Sequence, residues 1–213
     1  MSNYTTRAQG LIEQINSGKA SKGEIENFIT EVKSEMKNSP HLGVELGPLI
    51  PRINKALSSR VEIPHFDWVK INNGWLAVGH KPGGKISFEG MSKAGVTAVL
   101  TLLQENEGSQ VIGQALRRVG IEWLWFPFSA VRPEDRETTK AQFSKMEALL
   151  EKEAKIYIHC SAGIHRTGMV TYAFLRFLGQ GPEEAMDNLA KMRQLTAEGF
   201  TPERLHWGEQ FGT

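Results

Sequence analysis

The stretch His159-Cys160-Ser161-Ala162-Gly163-Ile164-His165-Arg166-Thr167-Gly168 brings together a thiol, imidazoles, a guanidinium and glycines. It lies between a β-branched run, Ile156-Tyr157-Ile158, and a helical run that begins near Thr167. A loop passing from a buried strand into a helix sits at the carboxyl edge of an α/β sheet, where ligands bind, and the first helical amides and the helix dipole favour an anion there. Gly163 and Gly168 permit a tight turn with successive N–H groups pointing inward, and Arg166 can bring a bidentate guanidinium to the same oxyanion. A thiol at the mouth of such a loop ionises below its free value of about 8.5, because the groups that bind phosphate also stabilise thiolate. The pattern therefore predicts Cys160 as a nucleophile toward phosphorus.

These residues need a sheet to hold them. Trp75-Leu76-Ala77-Val78, Val96 to Leu102, Ile121 to Phe126 and Ile156 to His159 are short runs rich in apolar or β-branched residues, and read as strands. Helical periodicity fills the intervals, around Ser109–Val119, from about Pro133 to Ala154, and over Thr167–Leu178; further helices open at Pro182 and at Thr201-Pro202-Glu203. The expected architecture is α/β, a central mainly parallel sheet flanked by helices.

The first sixty residues read differently. Leu11, Ile12 and Ile15, then Ile25, Phe28, Ile29, Val32 and Met36, fall at helical spacing. Ser21 and Glu24 form a capping-box pattern, Asn38-Ser39-Pro40 is a stop, and a third short helix is expected between Leu46 and Leu57. The expected division is a helical appendage over 1–61 and an α/β domain over 62–213.

With 213 residues, 40% of them hydrophobic, and a net charge of +1, the chain can build a real core, and its charge argues against a large nucleic-acid-binding surface. The sole cysteine, Cys160, excludes an internal disulfide and a cysteine-paired metal site. No secretory signal opens the sequence and no apolar run spans a membrane, so a cytoplasmic protein is expected.

The pattern H-C-x-x-G-x-x-R-T-G, with five residues between Cys160 and Arg166, resembles the signature of the cysteine-dependent protein tyrosine and dual-specificity phosphatases, and the resemblance extends loosely across 65–213. It implies that Cys160 forms a phosphocysteine, and that the amides of Ser161, Ala162, Gly163, Ile164, His165 and Arg166, with the Arg166 guanidinium, bind the phosphoryl oxygens. It also implies that Thr167 donates to the Cys160 sulfur and that His159 orients the loop from behind. No metal or cofactor is implied. The family's acid, an aspartate, falls here at Ala130. Asp135 is the replacement put forward, with Glu134, His165 or no acid at all as alternatives, and both carboxylates also read as helix N-terminal residues. The expected substrate is a phosphorylated protein, carrying phosphotyrosine or phosphoserine/threonine, or a small phosphorylated metabolite. Inositol phosphates, phospholipid or an RNA 5′ phosphate are the alternatives, and a phosphate-binding pseudophosphatase is the reading without turnover. Arg193 and Arg204 are further substrate-binding candidates, Gln194 and Glu203 candidates for positioning water, and His80–Lys85 reads as a basic lip or a solvated turn.

Overall fold

The computed structural model describes residues 3–59, 61–131, 133, 135–199 and 201–212. The chain divides into two compact units, Met1–Val61 and Glu62–Thr213.

The first unit is helical, with α1 (Asn3–Asn16), α2 (Lys22–Asn38), α3 (Gly43–Leu46) and α4 (Leu49–Ser59). The capping box that starts α2 is formed: the Ser21 side chain accepts from the Glu24 amide and the Glu24 carboxylate accepts from the Ser21 amide. Ala8, Leu11 and Ile15 from α1 and Ile25, Phe28 and Val32 from α2 form one buried cluster with Leu46, Leu49 and Ile53. The third short helix expected between Leu46 and Leu57 is α4, and Gly47-Pro48 separates it from α3, Pro48 having no N–H to continue the ladder.

The second unit is a five-stranded sheet in the order β1-β2-β5-β3-β4, formed by β1 (Val69–Ile71), β2 (Gly74–Gly79), β3 (Ala98–Thr101), β4 (Glu122–Trp125) and β5 (Lys155–His159). All neighbours pair in parallel except β1 with β2. The mainly parallel α/β sheet read from the sequence is the sheet observed. The added β1 is three residues long, too short for a periodic signal, and is joined to β2 through Asn72, whose φ of 51° is a left-handed conformation that asparagine tolerates.

Helices α5 (Phe88–Lys93), α6 (Ser109–Arg118), α7 (Arg136–Leu150), α8 (His165–Phe177), α9 (Pro182–Met192), α10 (Gln194–Glu198) and α11 (Pro202–Glu209) complete the unit. The expected helix from Pro133 to Ala154 is shorter at both ends, starting after the Asp135 cap and stopping before Glu153, which takes φ 60°. Every residue of α8 from Thr167 to Arg176 is buried, and each large apolar side chain so removed from water contributes about 1.5–3 kcal/mol. That burial is what fixes the loop feeding α8.

Register places the site. His159 at the end of β5 is opposite Gly79 of β2 on one side and Thr101 of β3 on the other. The chain leaving all three strands therefore emerges side by side at one carboxyl edge, with β5 inserted between the earlier β2 and β3, a switch point of the kind where α/β sheets bind ligands.

Candidate active site

Cys160 follows β5 directly and is buried, with 4% of its surface exposed. Burial pushes its thiol pKa up. The Thr167 hydroxyl and the amides of Thr167, Gly163 and Ile164 more than offset that, and the net shift is downward. The Gly163 N–H donates to the sulfur at 3.2 Å, and the buried Thr167 hydroxyl has no nitrogen or oxygen partner among the described residues, which leaves it to the sulfur. Donors surround the thiol, and a set of donors stabilises an anion rather than accepting a proton.

The loop's carbonyls are tied down on the outside. Ser161 O accepts from the Lys81 N–H at 3.0 Å. Arg193 Nη1 donates to Ala162 O at 3.0 Å and to Gly163 O at 2.9 Å. The Thr196 hydroxyl donates to Gly163 O at 2.7 Å. Carbonyl oxygens left facing an anion would repel it; held outward, they leave the amides to face inward.

Gly163 is obligatory at its position. Its φ is +69°, and a Cβ there would stand 2.1 Å from the Gly79 carbonyl and 2.6 Å from the His80 nitrogen. Gly163→Ala is expected to lower the melting temperature by roughly 5 °C or more, the left-handed strain alone being about 1–3 kcal/mol, and to weaken binding of inorganic phosphate. Thermal melts and phosphate titration check both.

His159 is fully buried and keeps the loop entrance in place. Its Nδ1 lies 3.0 Å from Cys160 O and its Nε2 2.9 Å from the Thr101 hydroxyl, which accepts from Trp123 Nε1 at 2.9 Å. A carbonyl only accepts and an indole only donates, so the order is fixed: Trp123 donates to Thr101, Thr101 to His159 Nε2, and His159 Nδ1 to the Cys160 carbonyl. The imidazole is neutral, since burial first, with the nearby cations Lys81 and Arg166 among lesser contributions, holds its pKa down at about 4. Trp123 is thus a brace as well as a wall: β4 at the sheet edge is half-buried, and the indole reaches across it to β3.

Arg166 opens α8. Glu107, in the turn leaving β3, grips it end-on, with Nη1 donating to Oε2 at 2.6 Å and Nη2 to Oε1 at 2.7 Å, while Nη1 also reaches Leu102 O at 3.4 Å. Of the five guanidinium N–H groups, the Nε–H and one Nη2–H are left, a side-on edge suited to two phosphoryl oxygens. Glu107 is itself held by the Gln104 N–H at 2.8 Å. The hydrogen bonds from Arg166 bring the Glu107 carboxyl down to about 2 against the cost of burial. Glu107 escaped the sequence reading because its partner lies 59 positions away; the only local signal, Gln104 followed three residues later by glutamate before Gly108, marks a capped turn.

The remaining candidates are distributed as follows. Asp135 caps α7, accepting from the Glu137 N–H and Thr138 N–H at 3.0 Å each and from the Thr138 hydroxyl at 2.7 Å, and these bonds, the Thr138 amide first, lower its pKa. Ala130 is exposed in the preceding loop, and Glu134 lies outside the described residues. His165 is exposed at the first position of α8, beside Gly199. Arg193 braces the loop from outside, Arg204 donates to Gly199 O, Gln194 bonds Glu198 at 3.0 Å, and the exposed Glu203 carboxyl is lowered by the Thr201 hydroxyl. Among the described residues no cluster of three or more His, Cys, Asp or Glu could hold a metal ion, and no helix is long and apolar enough to cross a membrane.

A family model described as "Polymorphic toxin system, DSP-PTPase phosphatase" matches residues 79–180, the segment from the end of β2 through α8. Among curated proteins nothing matches. Kinase associated phosphatase, solved with its catalytic cysteine replaced by serine, is similar at a TM-score of 0.60 and 20% identity over 72% of this chain and 96% of its own. Tk-PTP in its active form gives 0.56 and 22% over 67% and 94%. PTPMT1 in complex with PI(5)P gives 0.52 and 20% over 68% and 93%. All three share the fold of the second unit, which is that of a dual-specificity-type phosphatase. The match over residues 79–180 and the shared fold are consistent with an atypical dual-specificity-like phosphatase domain.

Proposed function

We propose that the protein hydrolyses phosphate monoesters through a phosphocysteine on Cys160, with the amides of 161–166 and the free edge of Arg166 binding the phosphoryl oxygens. The observation that carries this is the buried thiol ringed by donors, its pKa lowered by Thr167 and the loop amides. Charge spreading over three oxygens in the transition state meets a preorganised set of N–H groups, each worth about 2.7–4 kcal/mol when aimed well. Thr167 then steadies the departing thiolate as water attacks the phosphocysteine. A reducing compartment, the cytoplasm, keeps the lone thiol in its active state.

The leaving group in this proposal departs without a dedicated side-chain acid. The three hydrogen bonds that Asp135 accepts as the cap of α7, which lower its pKa, support this reading, and the usual acid position is Ala130. That favours leaving groups of low pKa, with the phenolate of phosphotyrosine ahead of the alkoxides of phosphoserine and phosphothreonine. Because Asp135 donates no proton in this proposal and asparagine caps a helix about as well as aspartate, Asp135→Asn is expected to leave both the kcat profile on 4-nitrophenyl phosphate and the melting temperature unchanged. Asp135→Ala is expected to lower the melting temperature by about 2–4 °C. A basic limb that vanishes in Asp135→Asn while the melting temperature holds would restore Asp135 as the acid. The phosphocysteine is tested by acid-quenching the enzyme during turnover and mapping phosphate to the peptide that carries Cys160; phosphate found on no residue would overturn the mechanism.

A further inference from the structure

We propose that the turn from His80 to Lys85 is a second anion subsite, selecting substrates that carry a further phosphate group beside the one Cys160 attacks. The proposal rests on the phosphatase reading of the Cys160 loop and names the substrate class of that same site.

The turn is fastened to the loop. Its Lys81 N–H donates to Ser161 O at 3.0 Å, and Gly163 leaves no room for a Cβ against the Gly79–His80 peptide. It is also stiff in itself. Pro82 is buried, Gly83 takes φ 95°, and the Gly83 N–H closes the turn on Ile86 O at 2.8 Å. The Phe88 ring lies 3.1 Å from where a Gly83 Cβ would be. What this anchored turn displays to solvent is Lys81, Gly83, Gly84 and Lys85.

The lysines have no counter-charge. No ion pair among the described residues engages Lys81, Lys85 or Arg193, and Glu107, the carboxylate at the site, is taken by Arg166. Their charges reach the groups beside the loop: that of Lys81 is felt at Glu107 and His159, and those of Arg193 and Lys85 at His80, which burial first and these cations next hold below its ordinary pKa. One phosphate in the loop is already matched by Arg166 and the amides. Unpaired cations displayed from a rigid turn beside it focus the field for a second anion on the same molecule, in a chain whose net charge is only +1.

The test is competitive inhibition of 4-nitrophenyl phosphate turnover by methylphosphonate and by methylenebisphosphonate, whose P–C–P link resists hydrolysis. In the wild type the bisphosphonate is expected to inhibit at least about tenfold more tightly. In the double variant Lys81→Ala, Lys85→Ala that ratio is expected to fall to about threefold or less, and in Lys81→Arg, Lys85→Arg to return. Equal inhibition by the two phosphonates in the wild type, or a ratio unmoved in the alanine variant, overturns the subsite. Absence of 4-nitrophenyl phosphate turnover counts instead against the phosphatase reading, and calorimetric titration with the same two phosphonates then reads the subsite by itself.

Discussion

Replacing Cys160 with serine is expected to lower turnover of 4-nitrophenyl phosphate by at least about 10⁴-fold, the scale seen when a nucleophile is removed from an otherwise intact site, while inorganic phosphate still binds. The reason lies in what surrounds the sulfur. Gly163 N–H, the Thr167 hydroxyl and the amides of Ile164 and Thr167 all donate, and none of them can accept a proton. A thiol needs only donors to become a nucleophile, because stabilising its anion is enough to ionise it near neutral pH. A serine hydroxyl needs a base, and the one imidazole at the loop entrance, His159, already donates from Nδ1 to Cys160 O and accepts at Nε2 from Thr101. In the proposed mechanism phosphate binding depends on the loop amides and Arg166, which the substitution leaves alone. Turnover by Cys160→Ser near the wild-type rate would overturn the mechanism; loss of phosphate binding together with a lowered melting temperature would show that the sulfur is needed to set the loop.

The site's centre was legible because its parts are contiguous. Cys160, Gly163, Arg166 and Thr167 lie within eight residues, and a strand-to-helix loop of that composition is recognisable from chemistry alone. The parallel strands were legible for a similar reason, each being a short apolar run with its own turn signals. What stayed hidden depends on residues that meet only after folding. Thr101 reads as one more β-branched residue of a strand, yet its hydroxyl joins Trp123 to His159. Arg193 reads as a substrate-binding candidate or an exposed helix charge, yet it restrains two carbonyls of the loop about thirty residues upstream. β1 was missed because three residues carry no period, and the join between α3 and α4 because a proline at position 48 interrupts an otherwise continuous apolar pattern. Asp135 shows the opposite difficulty: a carboxylate before a helix has two ordinary meanings, cap and acid, and its three hydrogen bonds show the cap.

Glu107→Gln is expected to cost about 10²-fold in kcat/KM, or about 2.7 kcal/mol of transition-state stabilisation, with most of the loss in kcat. On the proposed mechanism Glu107 acts through Arg166, which it grips with two hydrogen bonds, as a positioning residue. The pair is half-buried, with side-chain exposures of 20% for Arg166 and 32% for Glu107, and its two short bonds present the remaining guanidinium edge in one orientation. Glutamine offers one acceptor and one NH₂ that opposes the arginine, so the fork loses a bond and its planar lock. The transition state, with charge spread over three oxygens, demands that orientation more than the ground state does. The pH dependence follows the sign of the shift. Because folding lowers the Glu107 carboxyl to about 2, its contribution to stability is complete above the ordinary carboxylate range and is lost as pH falls from there toward about 2. Above that range the pair stays intact, so on the proposed mechanism the acid limb of kcat/KM is assigned to groups other than Glu107. Glu107→Gln should therefore lower the whole profile without moving that limb, and Glu107→Asp, which keeps the charge on a shorter stem, should recover only part of the rate. A profile whose acid limb shifts in Glu107→Gln, at unchanged plateau, would show that Glu107 titrates with the reaction and would remove it as a positioning residue.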